Sequence, residues 1–399
     1  MLRECRLKKI LNTLIAITFP LLLLLGIELW LSHIVKARDM RGFELSEQLP
    51  VITPTIIPAV GREPNITFTQ EYVANHPINF AQKYPLISPL VQPTTIYTTF
   101  VTGDVLTLTV YLGNKVALLV PQGSYDSTIM NALVNALDGA YNYYATTTDK
   151  EPYLYYEYDG RGTIAVVPQT CGGGCGFLGF TGIELTNETW NVLYTGVLNN
   201  NQYDQAVFYE FGRNFWHYGQ QLEYHNPDNP AAIVTGFAVY MRFKSMEAIG
   251  VQGGPVNGGV PYEEHEANEV DMLPLYLADS SLNWNNTLRI DQGFPNPYGL
   301  GAADLFASMN MDLEAQHGFT YTQNVWKRAG EQAVANNTQE AVDNFIIAAS
   351  CAVRKPLTNT FSSWRWPIST AVLQATSNLT QTCGLSQNDI FVFLPLILK

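Results

Sequence analysis

The first 35 residues carry the strongest constraint on what this chain can fold into. Four basic residues precede position 10, and an apolar run extends from Ile10 to about Ile34, interrupted at a few positions such as Pro20 and Glu28. About 20 apolar residues are enough to cross a bilayer as a helix, and no small-residue cleavage site follows the run. We therefore expect residues 1–35 to form an N-terminal membrane anchor that contacts the bilayer through residues 10–34, with a removed signal segment as the alternative. Either form places the rest of the chain outside the cytoplasm, at the cell surface or secreted.

The cysteines agree with export. Four of the five follow the membrane segment, at Cys171, Cys175, Cys351 and Cys383. An even number of cysteines in an oxidising compartment indicates disulfides, and four cysteines allow three pairings. The simplest pairs Cys171 with Cys175 and Cys351 with Cys383. Zinc binding by the "CGGGC" segment is the alternative, but no second cysteine pair has the spacing of a zinc finger.

The charge balance argues against nucleic acid as a partner. The chain has 22 Lys and Arg against 35 Asp and Glu, a formal net charge of −13. Binding to phosphate backbones requires clusters of basic residues, and none occurs beyond the N-terminus. With 47% hydrophobic residues the remainder is typical of a folded globular protein.

Composition and periodicity divide the chain into segments. Residues 36–93 are rich in Pro, Thr and Ile and predict an extended linker. Residues 94–250 predict a β-rich region with a motif-bearing helix, and 251–299 a long loop rich in Gly, Pro and Asn. Residues 300–385 have apolar residues at helical spacing, and 386–399 form an apolar C-terminal tail.

The β-rich region begins with three short runs, "TIYTTFV", "VLTLTVYL" and "KVALLVP", separated by turn residues, which predicts a meander. The next apolar residues recur at helical spacing behind Ser124 or Asp126 as N-cap. The later "CGGGCGFLGFTGIEL" lacks the endings of a phosphate-binding loop. We interpret it as a disulfide-closed turn beside a cleft.

One further helix carries a degenerate catalytic motif. Zinc peptidases use H-E-x-x-H, in which two histidines one turn apart bind the metal and the glutamate activates its water. Here the frame is Tyr209-Glu210-Phe211-Gly212-Arg213. The glutamate is present, and both histidine positions hold other residues.

The surrounding sequence resembles the gluzincin metallopeptidases of the thermolysin clan, the enhancin type in particular. The segment "FYEFGRNFW" is similar to their H-E-x-G-H-N-F helix, and "VTGFAVYM" is similar to the helix of the third ligand, with Thr235 in place of Glu. The segment 342–369 resembles their helical C-terminal lobe, so the resemblance covers roughly residues 115–375. It implies an α+β, zincin-like, two-lobed fold after the membrane segment, with a β-rich upper lobe, an α-helical C-terminal lobe and a cleft between them.

The resemblance also implies roles for individual residues. Glu210 matches the catalytic glutamate, while Tyr209, Arg213 and Thr235 stand at the three metal-ligand positions. A phenolate is a weak ligand, a guanidinium has no lone pair to donate, and a threonine lacks the charge to balance a dication. We therefore expect no metal and no cofactor.

A guanidinium at position 213 suggests what replaces the metal. Arg213 lies three residues after Glu210, so the two could form a helix pair, and the cation could occupy the space of the lost zinc. An ordinary Glu–Arg pair beside the aromatic face of Phe208, Phe211 and Phe215 is the alternative.

Other candidate ligands are weaker. An acidic segment could form a displaced metal or calcium site, although it lacks the spacing of a calcium loop. It contains Glu263, Glu264, His265, Glu266, Glu269 and Asp271. His217 and His225 lie eight residues apart after the motif helix, and no G-x-S-x-G elbow supports a serine hydrolase.

These observations leave two functional hypotheses. The first is a non-catalytic pseudo-peptidase that binds a peptide or glycopeptide in the cleft. The second is an active hydrolase that uses Glu210 with an unconventional metal site, and only this hypothesis requires zinc.

Overall fold

The structure is a computed structural model that describes residues 94–384 apart from residues 257 and 258. The strands are β1 (Thr94–Thr98), β2 (Val105–Leu112), β3 (Val116–Pro121), β4 (Glu157–Tyr158), β5 (Arg161–Val167), β6 (Gly174–Gly176), β7 (Ile183–Thr186), β8 (Gln202–Tyr203) and β9 (Gln252–Gly253). The helices are α1 (Ser127–Thr148), α2 (Asn187–Asn200), α3 (Ala206–Asn214), α4 (Gly219–Leu222), α5 (Ala231–Ile249), α6 (Tyr262–Ala278), α7 (Ala302–His317), α8 (Thr320–Gly330), α9 (Thr338–Val353), α10 (Thr358–Ser363), α11 (Thr370–Ser377) and α12 (Leu379–Thr382). The predicted membrane segment, most of the linker and the C-terminal tail lie outside the described residues.

Seven strands form one mixed sheet in the order β1-β2-β3-β5-β7-β6, with β4 paired to β5. The first three strands form the predicted antiparallel meander, with Thr94 opposite Thr109 and Leu108 opposite Pro121. β3, β5 and β7 are then parallel neighbours, while β6 returns antiparallel to β7 at the edge. Parallel neighbours require crossover connections, and α1 supplies the one between β3 and β5.

Two aspartates position α1, one at its N-terminus and one within the helix. Asp126 is its N-cap and accepts hydrogen bonds from the backbone N–H groups of Thr128 and Ile129. Within the helix, the buried Asp138 carboxylate accepts from the backbone N–H groups of Asn114, Lys115 and Val116 in the β2–β3 turn. One carboxylate therefore fixes α1 against the sheet and satisfies three backbone donors.

The fold-class prediction was wrong. The described chain is a mixed α/β structure that is 53% helix, and its supposed β-rich region contains the long helices α1, α2 and α5. One continuous core runs from Val116 of the sheet through Phe237 of α5 to Phe345 of α9. Because apolar strands do not reveal whether their neighbours are parallel or antiparallel, the crossover arrangement could not be deduced from the pattern.

The long loop predicted over residues 251–299 contains the 17-residue helix α6 and two short 3₁₀ turns. Glu263 and Glu264 lie in the first turn of α6, where the positive end of the helix dipole favours carboxylates. Met272, Leu273 and Tyr276 are buried. Because the segment is acidic and contains Pro274, the spacing of its few apolar residues does not predict a helix.

Both predicted disulfides are confirmed. Cys171 pairs with Cys175, and Cys351 of α9 pairs with Cys383 after α12. Within residues 94–384, none of the helices has both the length and the apolarity needed to cross a membrane.

Candidate functional site

The degenerate motif lies on a helix, α3, as the resemblance implies. Val207, Phe208 and Phe211 face the core, and the Tyr144 hydroxyl of α1 donates a 2.8 Å hydrogen bond to the Phe208 carbonyl. Tyr209 and Arg213 are half-buried on another side of the helix, one turn apart. The Asp204 carboxylate accepts from the Ala206 N–H and satisfies one donor of the first turn.

The three metal-ligand positions of the resemblance come together in space. Nη2 of Arg213 donates to the Tyr209 hydroxyl at 2.6 Å and to the Thr235 hydroxyl of α5 at 3.1 Å. The guanidinium carbon is also 5.2 Å from the centre of the Tyr209 ring, within the range of a cation–π contact. These three residues, which we call the Arg213 triad, place a cation where the resemblance would place a metal.

A close helix crossing produces this geometry. Gly212 of α3 faces Ala238 of α5, and a Cβ at position 212 would lie 2.6 Å from the Ala238 Cβ. On the next part of α5, Gly236 makes room for Phe306 of α7 in the same way. Small residues on both sides let α3 and α5 approach until a threonine on one can bond an arginine on the other.

Glu210 points away from the Arg213 triad toward strand β6. Its side chain is 6% exposed, and burial raises its pKa to about 7. The positive charge of Arg213 and the backbone N–H of Gly176 oppose this shift by favouring the carboxylate. Such a pKa lies close to that of a general base working at neutral pH.

The expected ion pair between Glu210 and Arg213 is not formed. No carboxylate oxygen of the described residues lies within 4.0 Å of a nitrogen of the Arg213 side chain. The two side chains diverge because Glu210 is held beside the glycines of β6, whereas Arg213 bonds the two hydroxyls. The helix pair with its aromatic backing is therefore not the arrangement that this segment adopts.

Strand β6 forms the wall beside Glu210. A Cβ at Gly174 would lie 3.0 Å from Cγ of Glu210, and one at Gly176 would lie 2.8 Å from the Glu210 carbonyl oxygen. Glycine at both positions lets the strand approach the helix. Cys175 lies between them and is bonded to the exposed Cys171, so the disulfide closes the turn that leads into β6.

A cavity of about 840 Å³ opens at the amino ends of α2 and α3. Gly172 and Gly173 of the disulfide turn line one side, and Glu188, Asp204 and Gln205 line the other. Its volume lies within the range of small-molecule pockets. It begins one helical turn before Tyr209 and does not include the Arg213 triad.

The acidic segment does not assemble a metal site. Among residues 94–384 no three His, Cys, Asp or Glu side chains are grouped to hold a metal ion. Arg242 of α5 instead bonds two of these side chains, since its Nη2 lies 2.7 Å from the Glu269 carboxylate and 2.8 Å from Nε2 of His265. Asp271 lies elsewhere on α6 and accepts from the Tyr298 hydroxyl.

The remaining candidates serve other contacts. Glu263 and Glu264 begin α6, and burial raises the pKa of Glu266. Burial lowers the pKa of His217 to about 4, so its ring is neutral at pH 7. The backbone N–H of His225 donates to the Thr338 hydroxyl of α9.

Sequence reasoning missed Arg242 and the two glycines of β6. Nη1 of Arg242 donates to the Gln205 side chain, so a buried ionic cluster reaches the amino end of α3. The available signal was Arg242 within the otherwise apolar run 237–243 of α5, because a buried cation requires a partner. For Gly174 and Gly176, the corresponding signal was the presence of glycine on both sides of Cys175.

Comparison with known proteins assigns no family. No family model matches the chain, and no curated protein matches it. Among solved structures, a functionally unknown conserved protein mutant from Bacillus anthracis str. Ames has a TM-score of 0.46 at 10% identity, over 71% of this chain and 54% of that one. A functionally unknown conserved protein from the same organism has a TM-score of 0.44 at 11% identity, over 69% and 53%. This chain thus spans about half the length of each.

Proposed function

We propose that this chain is a metallopeptidase-like protein that binds a peptide or glycopeptide beside α3 without a zinc ion. The observation that carries the proposal is the Arg213 triad. Its guanidinium bonds the residues at the two other ligand positions and brings a permanent positive charge to that place. A dication beside a guanidinium would be repelled, and none of the three side chains supplies the charged ligands that zinc requires.

The sheet edge supports peptide as the ligand class. β6 is the last strand of the sheet, and no described strand pairs with its outer edge. Extended peptides bind such edges through backbone hydrogen bonds, and neighbouring pockets select their side chains. The cavity beside Gly172 and Gly173 is one such pocket. The exposed rings of Tyr155 and Phe180, whose centres are 6.1 Å apart, supply a further surface for a side chain or a sugar ring.

The two disulfides support an exported protein. Disulfides persist mainly in oxidising compartments, and the Cys171–Cys175 bridge is partly exposed. We propose that the described part works outside the cytoplasm. Anchoring through residues 10–34 stays a prediction from the sequence.

Metal content tests the proposal. We expect the purified full-length protein to contain far less than one zinc per chain by elemental analysis. The Tyr209→His/Arg213→His/Thr235→Glu variant restores the three ligands of the resembled family and is expected to bind about one zinc. A Tyr209→His/Arg213→His variant that keeps Thr235 is the matched control and should bind zinc more weakly. Stoichiometric zinc in the wild-type protein would contradict the proposal.

A second candidate function is hydrolysis with Glu210 as general base. The observation in its favour is the pKa of about 7 that burial gives this carboxyl. We expect no peptide hydrolysis by the wild-type protein with or without added zinc. Turnover that disappears in Glu210→Gln and persists in Lys327→Gln, which removes an exposed charge, would favour the hydrolase instead.

A further inference from the structure

The Arg213 side chain has unused capacity for hydrogen bonding. A guanidinium has five N–H groups, and the structure gives Nη2 of Arg213 two partners, both neutral hydroxyls. Four other arginines instead hold a carboxylate, as in the pairs Arg161–Asp159, Arg242–Glu269, Arg289–Asp228 and Arg328–Glu331. Arg213 is half-buried and has no such counter-ion within ion-pair distance among the described residues.

The two hydroxyls add donors to the same place. Tyr209 and Thr235 each accept an N–H from Arg213, so each keeps its own O–H proton to donate. Neither hydroxyl has an acceptor among the described residues. Burial raises the pKa of Tyr209, which keeps the phenol protonated. The Arg213 triad therefore presents guanidinium and hydroxyl donors that find no acceptor in the part of the chain that the structure describes.

We propose that the Arg213 triad binds a carboxylate of the peptide ligand. A carboxylate has two oxygens that accept several hydrogen bonds, and the planar guanidinium matches it better than any other side chain does. The proposal rests on the peptide-binding function proposed above. The carboxylate comes either from the C-terminus of the peptide or from an Asp or Glu side chain.

The position of the triad relative to the sheet edge agrees with this ligand. A Cβ added at Gly176 of β6 would lie 3.1 Å from Cβ of Arg213, so the strand packs closely against α3. The Gly179 N–H, three residues later, donates to the Arg213 carbonyl. A peptide along the β6 segment would therefore lie beside the helix turn from which the Arg213 side chain extends.

Peptide pools of defined chemistry test the proposal on immobilised full-length protein. Four pools of N-acetylated hexapeptides differ in two respects: a free or amidated C-terminus, and one glutamate or none. Retention of each pool is measured by mass spectrometry. We expect retention of the pools that carry a carboxylate to exceed that of the amidated, glutamate-free pool by roughly 10- to 100-fold, the worth of hydrogen bonds to a charged group. The two single-carboxylate pools show whether the terminus or the side chain is bound.

Variants assign the effect to the triad. Arg213→Met should abolish the preference for carboxylate, whereas Lys327→Met, which removes one exposed positive charge, should leave it unchanged. Tyr209→Phe keeps the ring and removes only the hydroxyl, so it should reduce the preference for carboxylate. This variant provides the test if Arg213→Met proves unstable. Equal retention of all four pools overturns the carboxylate proposal and leaves peptide binding in place. Retention of no pool overturns both proposals. A preference that persists in Arg213→Met and Tyr209→Phe places the carboxylate elsewhere and overturns the inference alone.

Discussion

Gly212 of α3 lies directly against Ala238 of α5, so that a Cβ added at position 212 would come within 2.5 Å of the Ala238 Cα. The contact is with backbone, which cannot move aside as a flexible side chain can. One turn away on α5, Thr235 accepts the hydrogen bond from Arg213. The absence of a side chain at one residue therefore decides whether the Arg213 triad can form.

Gly212→Ala should destabilise the protein although it adds a better helix former. Replacing a glycine inside a helix ordinarily gains up to about 1 kcal/mol. Here overpacking against Ala238 should outweigh that gain and lower the free energy of unfolding by about 1 to 3 kcal/mol, measured by urea denaturation. Gly330→Ala at the end of α8 is the control, since its Cβ would meet nothing closer than 3.5 Å. A Gly212→Ala protein as stable as wild type would refute the close crossing.

Glu210 should make stability depend on pH. Its folded pKa of about 7 lies above the ordinary value of 4.5, so between those pH values the folded state binds more protons than the unfolded state. Stability contributed by this group is complete below about pH 4.5 and is lost as pH rises through 7. Burial causes this rise in pKa, and the charge of Arg213 on α3 and the backbone N–H of Gly176 on β6 limit it.

Glu210→Gln isolates this effect, because the amide does not titrate. We expect the stability difference between the variant and wild type to shift in favour of the variant by on the order of 3 kcal/mol between pH 4.5 and 8. Chemical denaturation of both proteins across this range measures it. A difference that stays constant with pH would show that the pKa of Glu210 is not raised.

Gly176→Ala should push β6 away from α3. Its Cβ would lie 2.8 Å from the Glu210 carbonyl oxygen and 3.1 Å from Cβ of Arg213. We expect a loss of about 1 to 3 kcal/mol in unfolding free energy and weaker peptide retention. Gly172→Ala, in the same disulfide turn, meets nothing closer than 3.6 Å and should leave the free energy of unfolding nearly unchanged. Equal behaviour of the two variants would contradict the close strand–helix contact.

The two disulfides should differ in their contribution to stability. Cys351 and Cys383 are 32 residues apart, and a loop of that length corresponds to about 4 kcal/mol in the chain-entropy account. Cys171 and Cys175 are separated by 4 residues, which corresponds to about 2 kcal/mol. Paired Cys→Ser variants measured by urea denaturation test this ranking, and the reverse order would overturn it. Only the Cys171/Cys175 variant should also weaken peptide retention, since Cys175 is the middle residue of β6.

The sequence predicts those parts of the fold that depend on local chemistry. The β1–β3 meander follows from its short β-rich runs and turn residues, and α1 follows from helical spacing behind Ser124 or Asp126. The motif and the resemblance indicated α3 and α5, neither of which has a side-chain N-cap. Export and the even number of cysteines predicted disulfides, and the simplest of the three pairings is the one observed. In contrast, α2 is rich in Asn and Thr, with Trp190, Leu193 and Val197 as its buried residues, which is too little apolar periodicity to recognise.

The candidate site required information that no local pattern contains. Thr235 could be placed beside Arg213 only through the resemblance, since the contact depends on how two helices cross at Gly212 and Ala238. The Glu210 side chain turns away from Arg213 because β6 packs beside it. Helical spacing within α3 does not reveal this contact. The parallel pairing of β3, β5 and β7 depends in the same way on tertiary packing.

The shortness of β6 limits what this protein can recognise. Three residues at about 3.3 Å each present roughly 10 Å of strand, so only two or three backbone groups of a ligand can pair with it. So short a strand distinguishes few ligand sequences. It also forms too few hydrogen bonds for tight binding with slow dissociation. We therefore expect this protein to bind many different ligands, each of which dissociates rapidly. Strong binding then requires many copies of the protein, or many repeats of the ligand, acting together.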